Sequence, residues 1–391
     1  MDRSHCCNLS WTLKSDLSNA NHDRGTFGCI DARSRGERMM QFQTRAETHW
    51  FHEWLAVILA LALTAATAAG FLALLGFEPQ SALYRILIQP LASTYGISEL
   101  IAKATPLITI GVALSLSFRA GVWNIGAEGQ LVFGGLTGGA MALALYGVDG
   151  FWVLPVVLLA GAVGGLLWGA IPAFLKIRFQ ANEILVSLML TYVAILLMSV
   201  MVHGPLRDPD GFNFPESRLL HDAAILPKLF DQGRGHIGFV FALIFAGIGT
   251  WVVKRWHLGY AMKVSGLSPK AAHFAGYSRD TTIWLSLLIG GALSGFAGVV
   301  EVTGNIGQLV PTISPSYGFT AIIVAFLARL HPLAVIPAGL LVALSYLAGE
   351  AAQLSLGIPA AMTQVFQGLL LFFLLGTTVL VNYRILWVRA V

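Results

Sequence analysis

Residues Gly121 to Gly134 read GVWNIGAEGQLVFG, and they put a glutamate inside a long apolar, glycine-laden run that begins just after Arg119. If that run is helical and enters a membrane near Arg119, the nine steps to Glu128, at about 1.5 Å each, bring it near the middle of the bilayer. A charge at that depth costs roughly 2.5–3.5 kcal/mol on insertion scales. Such a residue persists where it faces a bundle interior, a partner or a pathway. The stretch therefore points to a membrane transport protein.

Composition agrees. Hydrophobic residues make up 56% of the chain and Asp, Glu, Lys and Arg together 11%, too few charges to cover a soluble domain. The 42 glycines suit helices that pack backbone to backbone in lipid. The net charge of +4 is carried in a few loops, with no basic stripe of the nucleic-acid type.

The N-terminal part, residues 1–48, is a polar and aperiodic extension without the apolar core of a signal peptide. It reads either as a disordered cytoplasmic extension or as sequence upstream of a true start at Met39 or Met40. Cys6, Cys7 and Cys29 all lie in it and lack zinc-ligand spacing, so neither a metal site nor a disulfide is expected. Residues 49–391 form the transmembrane domain.

Hydropathy divides that domain into about ten spans, an all-α polytopic membrane protein with one or two spans broken or re-entrant. The expected spans are Trp54–Leu75, Ser98–Phe118, Gly121–Tyr146, Phe151–Leu175, Glu183–Val202, Ile237–Val253, Thr282–Val300, Tyr317–Leu330, Pro332–Gln353 and Pro359–Val381. An amphipathic piece with Leu83, Ile86 and Leu87 follows the first, polar loops run His203–His236 and Lys254–Asp280, and Gly304–Pro315 is irregular. With both termini in the cytoplasm, Arg119, Lys176, Arg178, the Lys254–Arg279 loop, Arg329, Arg384 and Arg389 all fall on the cytoplasmic side.

No HExxH, GxSxG or GxxxxGK[ST] occurs, so no catalytic residue or bound cofactor is expected. Energy must come from an ion gradient or from a separate ATPase. On a continuous helix Asn124 and Glu128 are i, i+4 neighbours, Gln130 lies on another face, and Trp123 and Phe133 flank them. These residues line a path or fix helix packing, and for Glu128 a helix-to-helix hydrogen bond and a pathway role stand side by side. Asn182 and Glu183 stand at the cytoplasmic mouth of the fifth span, where Asn182 also suits a cap and Glu183 a first helical turn. Glu350 falls near the outer interface. Thr303, Asn305 and Gln308 lie on the irregular outer segment, a candidate outer gate, because non-helical backbone there must line water or be buried in protein.

Within the basic loop, Gly266, Ser268, Pro269, Ala271, Ala272, Phe274 and Gly276 outline about two helical turns, with Ser268 as cap, Pro269 at the first position and Gly276 as stop. The loop either only fixes topology or carries a coupling helix that docks in a partner, with small alanines for close approach and Phe274 as the buried knob.

GVWNIGAEGQ from Gly121, ANEILVSLMLTYVA from Ala181 and SGLSPKAAHFAGYS from Ser265 come in the order and spacing of one family. The chain from Trp54 to Val381 resembles ABC-transporter permeases of the branched-chain amino acid and ribose superfamily, and its EGQ motif resembles the nucleoside (BMP-family) subgroup. Thr191 departs from the resembled pattern, which has MLNY there, and the N-terminal extension has no counterpart. The resemblance implies an importer permease in a bacterial inner membrane. It further implies a second homologous permease as heterodimer partner, a cytoplasmic ABC ATPase that binds the ATP and Mg, and an extracytoplasmic substrate-binding protein or lipoprotein. Nucleosides are the implied cargo. A simple sugar or other neutral metabolite fits the same lining of Trp123, Asn124 and Phe133, and a different class, an ion-coupled transporter using Glu128, also stays open.

Overall fold

The computed structural model describes residues 38–44, 50–74, 88–357 apart from Phe212, and 383–389, with single positions at 76–84 and 359–377. Residues 1–37 of the extension, the amphipathic piece with Leu83, Ile86 and Leu87, and most of the tenth span lie outside them. The chain divides into two compact units, residues 48–381 and the two chain ends. In the chain-end unit, β1 (Arg38–Thr44) pairs antiparallel with β2 (Tyr383–Arg389), Arg38 opposite Arg389 and Thr44 opposite Tyr383. This ribbon belongs to the chain ends and leaves the all-α expectation for the membrane domain intact. It pairs segments more than 300 positions apart, which no local pattern announces.

The larger unit is helical. Its elements are α1 (Trp50–Leu74), α2 (Thr94–Arg119), α3 (Ala127–Ala144), α4 (Val153–Phe179), α5 (Glu183–His203), α6 (Gly238–Arg255), α7 (His257–Leu267), α8 (Pro269–Phe274), α9 (Arg279–Val300), α10 (Tyr317–Leu327) and α11 (Val335–Leu356). Among the described residues, six helices are long and apolar enough to cross a membrane. Nine of the ten expected spans have a helix at their position.

Three boundaries move. The third span starts at Ala127 and not Gly121, because Gly121 takes a left-handed φ of 72° and residues 120–126 run non-helical. The eighth span stops at Leu327, and Arg329 and Leu330 turn the chain at φ 51° and 57°. The Lys254–Asp280 loop contains α7 as well as α8. The basic residues there mask an inward row of Gly259, Met262 and Ser265, three apart on one helical face.

The core sits around α2, which is buried along most of its length. Its buried threonines are satisfied within the helix: Thr105 donates to Ile101 O at 2.8 Å and Thr109 to Thr105 O at 2.8 Å. Beside it α3, α4 and α9 pack through glycine. A Cβ at Gly134 would overlap the backbone of Gly295, and one at Gly165 the carbonyl of Gly291. In lipid the apolar effect does not drive helices together, so close backbone packing must, and these small residues permit it.

Charge separates the two ends of the bundle. Arg119, Lys176, Arg178, Lys254, Arg255 and Arg279 all occupy one end of their helices. His331, at that end, is held below its ordinary pKa by burial and by Lys254 and Arg119.

Candidate functional site

The break before α3 and the short α10 bring two helix N-termini together at Glu128. Its Oε2 accepts a hydrogen bond from Gly318 N at 2.6 Å. Ser314 Oγ accepts from Tyr317 N at 3.0 Å. Glu128 itself lies in the first turn of α3 and is 3% exposed. A carboxylate there meets the positive ends of two helices and takes up a backbone donor that α10 cannot satisfy itself. Gly318 is required by this approach, since a Cβ on it would overlap the backbone of Glu128. α10 has 11 residues and so spans only about 16 Å from the basic end, which puts this junction near mid-membrane. Non-helical backbone, not a continuous helix, leads from α2 to Glu128 and meets the short α10 there. Its first turns close on the end of α2: Gly121 N bonds Phe118 O and Val122 N bonds Ser117 O, both at 3.0 Å.

Asn124 is not on the helix with Glu128, so the i, i+4 relation does not hold. Asn124 and Gln130 pair instead, Nδ2 to Oε1 at 2.9 Å and Nε2 to Oδ1 at 3.3 Å, both side chains buried. Asn124 packs on Gly290 of α9 and Gln130 on Gly169 of α4. Phe133 stacks on Trp168 of α4 with centroids 4.3 Å apart, inside the bundle. Trp123 is 44% exposed and joins Phe118 and Phe326 at the basic end of the bundle. Thr191 lies against Gly129 and donates to Ser187 O at 3.0 Å. Asn182 Oδ1 accepts from Ile184 N at 3.0 Å as the cap of α5, and Glu183 pairs with Lys176 at 2.7 Å.

At the basic end α8 is six residues long. Ser268 Oγ accepts from Ala271 N at 3.4 Å, Pro269 opens the helix, and Gly276 follows it at φ 82°. Ala272 faces the protein at 3% exposure, so it is not a surface for a partner, while Phe274 is 90% exposed. The preceding α7 ends on the motif: a Cβ at Gly266 would overlap Arg119 O, and one at Gly121 would stand 3.2 Å from Gly266 Cα. The α7–α8 segment therefore rests on the break between α2 and α3. A cleft of about 280 Å³ opens beside it, lined among others by His257, Met262, Tyr277 and Ser278.

Residues 96–375 match a family described as branched-chain amino acid transport system / permease component. The chain belongs to this family of permeases. It is 36% identical to the glucose ABC transporter permease protein TsgB13 of Haloferax volcanii over 85% of this chain and 90% of that one. It is 28% identical to the guanosine ABC transporter permease protein NupP of Bacillus subtilis over 83% and 93%. A second Haloferax permease protein, TsgC13, is 28% identical over 59% of this chain and 70% of its own length. The chain is a multi-pass transport subunit, and ATP binding resides in a separate ATPase.

At the end of the permease remote from the basic residues, a π-helical turn, Glu301–Ile306, extends α9. Thr303 is fully buried and donates to Val299 O at 2.8 Å. Asn305 Nδ2 donates to Glu301 Oε2 at 2.7 Å, and Gln308 Nε2 to Glu216 Oε2 at 2.8 Å. The 203–236 loop is sewn to this segment through Leu226 N to Thr303 O, Leu220 N to Gly307 O and Ser217 N to Leu309 O. The three candidate gate residues therefore serve intramolecular contacts. His236 is fully buried, and that burial lowers its pKa to about 4.

Sequence reading missed the partner of Glu128, Gly318, and it missed Glu99, Lys103 and Arg234. Arg234 makes four hydrogen bonds to Glu99: its backbone N and its Nε each to Oε1 at 3.1 Å, Nε to Oε2 at 3.0 Å and Nη2 to Oε2 at 2.5 Å. Lys103 pairs with Glu350 at 2.6 Å. Glu99 and Lys103 at i, i+4 in an apolar span carried a signal in the sequence.

Proposed function

We propose that this permease forms one half of the translocation path of an ATP-driven importer for a neutral, hydroxyl-bearing solute, with nucleosides as its cargo. The α7–α8 segment carries the proposal. Its second helix, α8, is short and capped and ends on the exposed ring of Phe274, while α7 before it is seated by Gly266 on the helix break that leads to Glu128. Motion of a partner gripping Phe274 would be delivered to that break. The partner is a cytoplasmic ABC ATPase, which makes the basic end the cytoplasmic one and agrees with the positive-inside rule. A second homologous permease completes the path, as the likeness to both TsgB13 and TsgC13 supports, and a substrate-binding protein or lipoprotein delivers the solute from outside. The chain-end ribbon pairs the N- and C-terminal segments, which supports an even number of crossings, and the positive-inside rule then puts both termini in the cytoplasm of a bacterial cell.

The nucleoside reading rests on the EGQ motif and the likeness to NupP. A second reading, glucose or a similar sugar, rests on the greater identity to TsgB13. The ion-coupled reading gains nothing from Glu128, whose carboxylate is already engaged by the Gly318 N–H. Uptake of labelled guanosine and glucose by cells with and without this chain tests the proposal. Vanadate-sensitive accumulation of guanosine that vanishes with the chain is the expected result. Accumulation of glucose alone replaces the cargo, and uptake that ignores vanadate but collapses with a proton or sodium ionophore removes the importer reading.

A further inference from the structure

Polar side chains form a ladder down α2 and α11 from the outer end toward the Glu128 junction, and the cargo reading above does not account for it. At the top, Arg234 of the 203–236 loop grips Glu99 of α2. One turn deeper Lys103 of α2 bonds Glu350 of α11 at 2.6 Å. A turn below that, Tyr346 of α11 meets Tyr317 edge to face, with centroids 5.4 Å apart. The rungs are close enough to act on one another, since Arg234 feels the charges of Glu99, Glu350 and Glu301.

The depth and exposure of one rung are informative. Glu350 precedes the end of α11 by six residues and Lys103 follows the start of α2 by nine, about 9 and 14 Å along their helices. Lys103 is almost covered, at 7%, while the Glu350 side chain is 49% exposed, as is that of Arg234. A half-exposed carboxylate at that depth is costly against lipid tails and inexpensive against water. Only Oε1 of Glu350 is taken, by Lys103, and among the described residues Oε2 has no protein partner. Each cation is matched by a carboxylate, so the rungs present donors and acceptors with little net charge. That suits a neutral solute with several hydroxyls and disfavours an ion.

We propose that this ladder is the outer solute-binding surface of the permease, with Glu350 Oε2 accepting a hydrogen bond from a hydroxyl of the passing solute. The proposal rests on the importer reading for its orientation, and its test is arranged to fail separately. In cells carrying the whole transporter with Cys6, Cys7 and Cys29 changed to Ser, Gln353→Cys puts a thiol on the exposed face one turn outward from Glu350. A charged, impermeant methanethiosulfonate added outside should modify it, and saturating guanosine or glucose should slow the modification severalfold. No modification in the assembled transporter means that lipid or the second permease covers this face, and it overturns the proposal. Modification at a rate indifferent to either solute overturns the binding role.

The second arm compares saturated uptake of each solute with that of its singly deoxygenated analogues. Glu350→Gln, and Lys103→Gln with Glu350→Gln so that no charge is left unpaired, should lower discrimination against at least one analogue by about tenfold. Unchanged discrimination in both variants at normal expression sinks the proposal. Loss of vanadate sensitivity in the wild type would count against the importer reading and leave the thiol arm to decide the ladder.

Discussion

Glu128 offers the sharpest mutational test, because the structure assigns it a definite partner. Its Oε2 takes the Gly318 N–H at 2.6 Å in a site from which water is excluded. Glu128→Gln keeps an oxygen acceptor of the same reach, so the loss is confined to charge assistance and helix-dipole attraction, about 1 kcal/mol. Glu128→Leu leaves a buried N–H at the start of α10 without a partner and forfeits the dipole contact as well, about 3 kcal/mol. In equilibrium terms these are roughly fivefold and a hundredfold. Tryptophan-monitored unfolding of the purified permease in mixed micelles reads the stability difference. Uptake in cells, normalised to membrane expression, reads the functional one. Gln should retain most uptake and Leu should lose it. A Leu variant within about 0.5 kcal/mol of wild type would show that the Gly318 N–H does not depend on Glu128. A Gln variant as inactive as Leu, in a wild type whose uptake an ionophore abolishes at constant ATP, would return Glu128 to the role of ion site.

Phe274→Asp should detach or uncouple the ATPase while membrane insertion stays normal, because the ring is 90% exposed; wild-type ATPase co-purification and uptake would remove the coupling reading. Ala272→Asp should instead lower the yield of folded permease, since that Cβ faces the interior at 3% exposure, and normal yield would contradict the placement. Reporter fusions at Gly211 and Lys270 should report opposite sides of the membrane, Gly211 outside; the same side for both would refute the topology. His236 has a folded pKa of about 4 against an ordinary 6.5, so its contribution to stability is complete above about 6.5 and is lost as pH falls toward 4, by about 3 kcal/mol at most. Thermal unfolding scans at pH 7 and pH 5 should show a destabilisation in the wild type that His236→Gln reduces, and equal losses in both would exclude His236 as its source.

The sequence by itself determined what depends on neighbours along the chain. Hydropathy located spans one to nine to within a few residues of helices, because lipid leaves no alternative to internally satisfied backbone. Ser268, Pro269 and Gly276 marked the ends of α8, because caps act over three or four residues. The repeated glycines indicated close helix packing without saying which helices meet. Tertiary structure alone decided the rest. Asn124 was paired with Glu128 on the assumption of an unbroken helix, whereas the left-handed Gly121, pressed against Gly266 from a segment far along the chain, breaks that helix and leaves Asn124 to Gln130. Glu128 finds Gly318 across 190 positions, and Lys103 finds Glu350 across 247. A buried charge announces in the sequence that it needs a partner, because an unpaired one is so costly. Which residue answers depends on how the chain returns through the membrane, and no local periodicity encodes that.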